Sequence, residues 1–276
     1  MTRDLKGWPS ATPFSLGRPR VLGIVNVTAD SFSDGGRFLD PARAIEHALR
    51  LRDDGADFVD VGGESTRPGA ILVSAEEEMR RVIPVVEALV KEGVAVSVDT
   101  MKPEVMRAAI AAGCAVVNDV NAFRADGAID AVANAGVGLI VMHMKGTPVD
   151  MQKDPRYDDV VAEVSSFLVA RAAALEAAGV ASHRIALDPG FGFGKTLAHN
   201  KALFRALPAL AATGYPILAG VSRKKMIGDF TGRPAAERVA GSVAAALLAV
   251  QNGASLVRVH DVRETVEAIN VWMELK

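Results

Sequence analysis

The chain is poor in cysteine and aromatic residues, carries almost no net charge and has no long apolar run. Its 276 residues include one cysteine, 5% aromatic side chains, and 31 basic against 33 acidic residues. The single cysteine, Cys114, excludes a disulfide framework or a thiolate metal site within one chain. The balanced charge supplies no overall field for nucleic acid, and no stretch approaches the roughly 18 apolar residues of a membrane span. We therefore expect a soluble, cytoplasmic protein that binds neither nucleic acid nor a membrane.

Eight short runs rich in Val, Ile and Leu each end in a polar or charged residue, and a helical pattern follows each of them. The runs are VLGIVN to Asn26, DFVDVGGE to Glu64, VAVSVD to Asp99, CAVVND to Asp119, VGLIVMH to His143, RIALD to Asp188, PILAGVSRK to Lys224 and SLVRVHD to Asp261. Such runs are typical of parallel strands buried on both faces, and eight strand-helix units predict an α/β fold, a single (β/α)8 TIM barrel. We assign residues 20–276 to the barrel domain and residues 1–19, which lack periodicity, to a lead-in segment.

Helix signals between the runs support this fold. Asp40 and Pro41 are typical of an N-cap and a first helical position, and Ser74-x-x-Glu77 has the pattern of a capping box. Later helices are predicted over 103–112, 126–135, 159–178, 197–207, 235–252 and 262–275. Polar, glycine-containing segments follow the first two strands, from Thr28 to Arg37 and from Glu64 to Ser74, and are candidate lids over the barrel mouth.

The carboxyl ends of the strands form the active site of such a barrel, so the polar residues there are candidates for chemistry. One set, Asp99, Asn118 and Asp188, suits a flat heterocycle whose edge carries several N–H donors. A second, basic set could surround an anion, which often lies near the last two strands of this fold. Its members are Arg67, Lys224, Arg258 and His260.

Each candidate also has a structural interpretation. Asp99 before Pro103 could be only a helix cap, residues 222–225 could be a solvated loop, and His143 between two methionines could be a packed histidine. Convergence of so many polar residues at one end of the barrel favours a functional site.

The segment Gly190 to Thr196, GFGFGKT, resembles a phosphate-binding loop but fails in detail. Pro189 stands where the Walker pattern needs its first glycine, and Lys195 stands where the dinucleotide pattern needs its third. We do not expect a nucleotide here.

Several longer segments carry a family resemblance. In chain order they are NVTADSFSDGG from Asn26, GGESTRPGA from Gly62, SVDT from Ser97, NDV from Asn118, MHM from Met142, DPGFGFGK from Asp188, SRKKMIG from Ser222 and RVHDV from Arg258. With them the chain resembles the dihydropteroate synthase family, from about Val21 to the carboxyl end. The resemblance implies a transferase of folate biosynthesis that joins 4-aminobenzoate to 6-hydroxymethyl-7,8-dihydropterin diphosphate and releases diphosphate with the help of Mg²⁺.

The resemblance also implies the role of individual residues. The pterin would contact Asp99, Asn118, Met142, Asp188 and Lys224. The diphosphate would face Asn26, Thr66, Arg67, Arg258 and His260, with Asn26 as the magnesium ligand. The aminobenzoate would lie near Pro68, Phe193, Ser222 and Lys224. Catalysis would depend on Asp99, Asp188, Lys224 and Arg258, and the resemblance further implies sulfonamide inhibitors and a homodimer.

Two departures from the family pattern and three alternatives remain. Ala29 replaces a usual proline in the first lid, and Lys225 stands where many relatives have serine, which adds a charge near the aminobenzoate carboxylate.

A pterin-binding methyltransferase barrel would share the acidic set but would not need the diphosphate residues. A non-catalytic barrel would not need to keep them either. Lys224 could instead be a Schiff-base lysine, although no carbonyl substrate is implied.

Overall fold

The computed structural model describes Phe14 and residues 17–28, 41–66 and 72–276. Within them, eight parallel strands are β1 (Arg20–Asn26), β2 (Phe58–Gly62), β3 (Val96–Asp99), β4 (Val116–Asp119), β5 (Gly138–Met142), β6 (Ile185–Asp188), β7 (Leu218–Ala219) and β8 (Leu256–Val259). They form one sheet in the order β6-β5-β4-β3-β2-β1-β8-β7. A parallel bridge from Leu187 of β6 to Ile217, just before β7, brings the two edges together. The predicted (β/α)8 barrel is therefore confirmed, in a nearly closed form.

Helices alternate with the strands. They are α1 (Pro41–Asp53), α2 (Ala75–Lys91), α3 (Pro103–Ala111), α4 (Ala128–Val132), α5 (Val160–Ala177), α6 (Leu197–Arg205), α7 (Leu207–Ala211), α8 (Lys225–Thr231), α9 (Val239–Gln251) and α10 (Val262–Leu275). Half of the predicted capping box at α2 is present: Ser74 Oγ accepts a hydrogen bond from Glu77 N at 3.2 Å, but the Glu77 side chain pairs with Arg80 and Arg81. None of the helices in the described ranges is long and apolar enough to cross a membrane.

The barrel interior is filled by side chains from alternate positions of the strands. A buried cluster inside it contains Phe14, Leu22, Phe58, Val116, Ile140, Ala186, Leu218 and Leu256. Phe14 is 2% exposed, so this residue of the predicted lead-in segment contributes to the barrel core. Strand residues of the opposite parity, such as Val25 and Val61, pack outwards with the helices. This parity decides which polar side chains at the strand ends point into the barrel.

The largest difference from the predicted elements concerns the seventh strand. The apolar run from Pro216 to Lys224 yields only Leu218–Ala219 as strand, because the chain then turns, with Lys224 N donating to Val221 O at 3.3 Å. Helix α8 follows at once and was not predicted. The helix predicted over 235–252 begins at Val239, after a short 3-10 turn.

Some expectations lie outside the described residues. They concern most of the lead-in segment, most of the first lid with Ala29, and residues 67–71 of the second lid.

Candidate active site

A cavity of about 950 Å³ opens at the carboxyl ends of the strands. Every predicted site residue that the structure describes lines this cavity: Asn26, Thr66, Asp99, Asn118, Met142, Asp188, Phe193, Ser222, Lys224, Arg258 and His260. Arg67 and Pro68 lie outside the described residues. The structure therefore brings the acidic set and the described members of the basic set, Lys224, Arg258 and His260, into one pocket.

The acidic set is aligned by the strand register. Asp99 pairs with Asn118 across β3 and β4, and Met142 pairs with Asp188 across β5 and β6. Neighbouring residues in register point to the same face, so these side chains share the barrel interior. Asp188 is further fixed by its own loop, because its Oδ1 accepts a hydrogen bond from Gly190 N at 2.7 Å.

Asp60, a residue that sequence reasoning missed, lies beneath this set. It occupies an inward position of β2, is fully buried, and accepts from Arg258 Nε at 2.5 Å and from Asn118 Nδ2 at 3.2 Å. Arg258 also donates through Nη2 to Asp99 Oδ2 at 3.0 Å. The signal in the sequence was a single carboxylate inside an otherwise apolar strand, since a buried charge requires a partner. Arg258, predicted to face the diphosphate, thus also contacts the acidic set.

The enclosed position of these groups shifts their protonation equilibria. Burial raises the pKa of Asp99 to about 7, although the Arg258 guanidinium opposes the shift. Burial also raises the pKa of Asp188, against the effect of the Lys224 ammonium. The pKa of Lys224 is lowered to about 8 by desolvation, which Asp188 partly offsets. The pocket thus contains carboxyl and ammonium groups that titrate near neutral pH.

Lys224 and Phe193 lie together in the same pocket. Lys224 Nζ donates to Phe191 O and lies 4.7 Å from the centroid of the Phe193 ring. Ser222 and His260, predicted to serve different substrates, also lie in contact: Ser222 Oγ is 3.1 Å from His260 Nδ1 and accepts from His260 N at 3.2 Å. A change to Ser222 would therefore also affect His260.

The two neighbouring cations are paired away from Lys224. Lys225 Nζ lies 2.7 Å from Asp229 Oδ1 in an i,i+4 pair, and its side chain is 86% exposed. Arg223 adopts a left-handed φ of 57° and forms an ion pair with Asp261. The extra charge at Lys225, a departure from the family pattern, is thus partly neutralised at the rim.

His143 is a packed residue, which agrees with the structural interpretation of this histidine given above. It is buried, its ring meets Phe167 edge-on at 4.9 Å, and burial lowers its pKa to about 3. Lys195, in the Gly190–Thr196 segment that resembles a phosphate-binding loop, is buried as well. Its Nζ lies 2.9 Å from Gly190 O and 3.0 Å from Phe193 O. An ammonium that donates to the carbonyls of its own loop is not presented to a phosphate.

Comparison with known proteins places the chain in a family. The family model of pterin binding enzymes matches residues 22–260. A dihydropteroate synthase from Neisseria meningitidis serogroup C is 53% identical over 265 residues, which cover 94% of each chain. The chain belongs to the dihydropteroate synthase family. It is therefore an enzyme, a transferase, and this decides against the methyltransferase and non-catalytic alternatives.

Solved structures of dihydropteroate synthases agree with the fold. A Xanthomonas albilineans dihydropteroate synthase with 4-aminobenzoic acid is 57% identical, with a TM-score of 0.89 over 94% of this chain and 93% of that one. A Yersinia pestis dihydropteroate synthase with a sulfonamide drug complex is 46% identical, with a TM-score of 0.90 over 95% of both chains. The synthase fold thus extends over nearly the whole chain.

Proposed function

We propose that this synthase joins the amino group of 4-aminobenzoate to the exocyclic carbon of 6-hydroxymethyl-7,8-dihydropterin diphosphate. The products are 7,8-dihydropteroate and diphosphate. The observation that carries the proposal is that carboxylates and cations line one cavity: Asp99 and Asp188 lie there with Lys224, Arg258 and the His260 imidazole, and Arg258 is paired directly with Asp99. A relative with 4-aminobenzoic acid and another with a sulfonamide support the choice of second substrate.

The acidic set would hold the pterin by its N–H edge. Carboxylates accept charge-assisted hydrogen bonds from polarised N–H groups, which Asp99 and Asp188 are placed to do. Asn118 donates through its Nδ2 to Asp60, so its amide oxygen is the group left to accept from the ring. Met142, 3% exposed between these polar groups, supplies an apolar surface for the flat ring.

The reaction needs charge stabilisation rather than a covalent nucleophile. As the C–O bond breaks, positive charge spreads into the pterin and negative charge develops on the leaving diphosphate. The carboxylates stabilise the first charge, while Arg258 and His260, with Asn26, Thr66 and Arg67, stabilise the second. The 4-aminobenzoate nitrogen then forms the new C–N bond and releases one of its N–H protons to the departing diphosphate or to water.

Lys224 acts in this scheme as a cation. Its pKa of about 8 leaves it mostly protonated at neutral pH, and its Nζ donates to the Phe191 carbonyl. An ammonium has no lone pair for a carbonyl carbon, so the Schiff-base alternative is disfavoured. Lys224 would contact the pterin and, with Phe193, Ser222 and Pro68, border the aminobenzoate.

Magnesium fits this site as a partner of the diphosphate. The described residues contain no group of three His, Cys, Asp or Glu side chains that could hold a metal alone. Mg²⁺ is, however, commonly held by one or two protein oxygens together with substrate phosphates, and Asn26 offers an amide oxygen at the cavity. The ion would neutralise charge on the leaving diphosphate.

A homodimer is the proposed assembly. Exposed apolar side chains gather along α9 and α10, where Leu248 is 49%, Val271 58% and Leu275 81% exposed. A patch of this kind is typical of an association surface. The cytoplasmic location stays a prediction, which fractionation of the source cells would test.

The reaction is tested by diphosphate release from the dihydropterin diphosphate with and without 4-aminobenzoate. We expect release that depends on 4-aminobenzoate and on Mg²⁺, is matched by 7,8-dihydropteroate, and is suppressed by a chelator or a sulfonamide. Release without incorporation of the amine would show a hydrolase instead. No release with saturating Mg²⁺ would contradict the proposal.

A further inference from the structure

The loop between β6 and α6 has an unusual pattern of backbone hydrogen bonds. It lacks regular structure, so its buried carbonyl groups need other partners. Six consecutive carbonyls accept from side chains: Gly190 and Phe193 from Lys195, Phe191 from Lys224, Gly192 from Gln152, Gly194 from Tyr157 and Lys195 from Asn200. Asn200 also donates to Thr196 O, at the start of α6, whereas Lys195 holds both ends of the Gly190–Phe193 turn.

Lys195 extends back into the loop that it ends. The residue is 3% exposed, and its Nζ lies 2.9 Å from Gly190 O, 3.0 Å from Phe193 O and 3.3 Å from His143 O. It also lies 3.0 Å from His143 Nδ1. An ammonium has only donors, so the neutral imidazole accepts through Nδ1 and carries its proton on Nε2. Lys195 therefore joins the ends of β5 and β6 through one buried group.

Lys195 is connected through the loop to both Asp188 and Phe193, but the positions of these two residues do not depend on it equally. Towards the acidic half, Gly190 N donates to Asp188 Oδ1, yet Asp188 is also held by its place in β6. Phe193, by contrast, lies in the loop itself, and its ring borders the Lys224 ammonium. Loss of Lys195 should therefore displace Phe193 more than Asp188.

We propose that Lys195 is a positioning residue for the second substrate: it fixes the Gly190–Phe193 turn and so holds Phe193 at the aminobenzoate side of the pocket. The proposal rests on the assignment of Phe193 to that side in the proposed function. Lys195 itself is given no contact with substrate, because its Nζ is directed at main-chain oxygens and His143. In the segment that resembles a phosphate-binding loop, Lys195 thus donates hydrogen bonds to carbonyl groups of the loop and not to a phosphate.

Burial affects the protonation of the Lys195 amino group that holds the turn. Desolvation lowers the pKa of Lys195 to about 7, with Asp188 acting in the opposite direction. Carbonyl oxygens and an imidazole nitrogen stabilise the ammonium, which has no ion pair with a carboxylate among the described residues. A neutral amine would still have two N–H donors for the Gly190 and Phe193 carbonyls, so the turn does not require the charge itself.

The test compares Lys195→Met and Lys195→Gln with Lys201→Met, which removes an exposed lysine on α6. Three quantities are measured in each variant: the KM for 4-aminobenzoate, the inhibition constant of a sulfonamide, and the dissociation constant of a dihydropterin that lacks diphosphate. For Lys195→Met we expect about a tenfold rise in the first two and less than a threefold change in the third, because misplacement of a contact residue is costly in enzymes. Lys195→Gln, which keeps two N–H donors, should give an intermediate KM, and Lys201→Met should match the unmodified enzyme.

The same measurements can overturn the proposal. A folded Lys195→Met variant with an unchanged KM for 4-aminobenzoate would do so, and equal losses of pterin and aminobenzoate affinity would show a general packing role instead. If the methionine variant does not fold, Lys195→Gln alone must show the split between the two substrates. Failure of the unmodified enzyme to form dihydropteroate would contradict the proposed function, whereas normal turnover with insensitive Lys195 variants would contradict only this inference.

Discussion

At the scale of single residues, Asp60 shows how a buried charge can organise groups that touch a ligand. It receives Arg258 and Asn118 on one carboxylate oxygen, while its Oδ1 is buried without a protein partner among the described residues. Removing one member of a buried ion pair leaves the other charge uncompensated. Asp60 should therefore fix the orientation of both the Arg258 guanidinium and the Asn118 amide.

We predict that Asp60→Asn lowers kcat/KM for the dihydropterin diphosphate by about a hundredfold, or roughly 2–3 kcal/mol. The physical reason is that an amide cannot accept from Arg258 and Asn118 as strongly as a carboxylate does. Steady-state kinetics at saturating 4-aminobenzoate measure the effect.

Asp57→Asn is the matched control. Asp57 is also a buried carboxylate with two arginine partners, Arg18 and Arg20, but it lies just before β2, at the amino-terminal end of the barrel. We expect this variant to lose stability while kcat/KM per folded enzyme is kept. An Asp60→Asn enzyme that is merely less stable, with normal kinetics, would contradict the role given to Asp60.

The pH dependence of kcat/KM follows from two groups. Asp99, with its pKa raised to about 7 by burial, must lose a proton to act as a carboxylate, so activity should rise as pH increases through 7. Lys224, with its pKa lowered to about 8 by desolvation, must keep its proton, so activity should fall as pH increases through 8. A bell-shaped profile with a narrow maximum between these values is expected, since kcat/KM reports groups of the free enzyme. A profile that is flat from pH 6 to pH 9 would show that neither protonation state matters.

At the scale of elements, the loop after β6 depends on a close approach of two backbones. Gly190 has a left-handed φ of 66°, and a Cβ at this position would lie 2.0 Å from His143 O. Gly214 also has a positive φ, 89°, but a Cβ there would meet open space. Comparison of the two glycines therefore separates the energetic cost of a positive φ from the cost of a steric clash with the backbone.

We predict that Gly190→Ala lowers the free energy of unfolding by more than about 3 kcal/mol, and Gly214→Ala by only about 1 kcal/mol. Both variants place alanine at a positive φ, but only the first creates a clash with main-chain atoms that cannot move independently. Denaturant unfolding of the two proteins gives the comparison. Similar losses in both would mean that the loop can shift away from β5.

The elements that could be predicted from the sequence are those with a strong local pattern. The runs rich in Val, Ile or Leu that form β1 to β6 and β8, and caps such as Ser74, are visible in short windows. Helix α8 was missed because its seven residues, KMIGDFT, show little periodicity and include a glycine. The Asp60–Arg258 pair joins residues 198 positions apart, a proximity that no local pattern can give. Residue types at the strand ends could be predicted, but their pairing depends on the register of the whole barrel.

At the scale of the whole molecule, the two ends of the barrel have different tasks. At the amino-terminal end, Phe14 packs into the interior cluster, and Asp57 pairs with Arg18 and Arg20. The carboxyl end carries the cavity, which is lined by Asp99, Asp188 and Lys224 with their shifted pKa values. Catalytic side chains can thus be poorly solvated at one end because the core below them is apolar and well packed.

The outer surface provides the last prediction, a homodimer through α9 and α10. Exposed apolar side chains on this face, among them Leu248 and Val271, would be covered by the same face of a second chain in a twofold arrangement. Val271→Lys should place like charges opposite each other across such an interface and yield a monomer in light-scattering chromatography. Val169→Lys, on an exposed position of α5, is the control and should remain a dimer. The cavity-lining residues do not include Val271, so turnover per folded chain should persist in the monomer. A monomeric unmodified enzyme, or a Val271→Lys variant that stays dimeric, would place the interface elsewhere or exclude it.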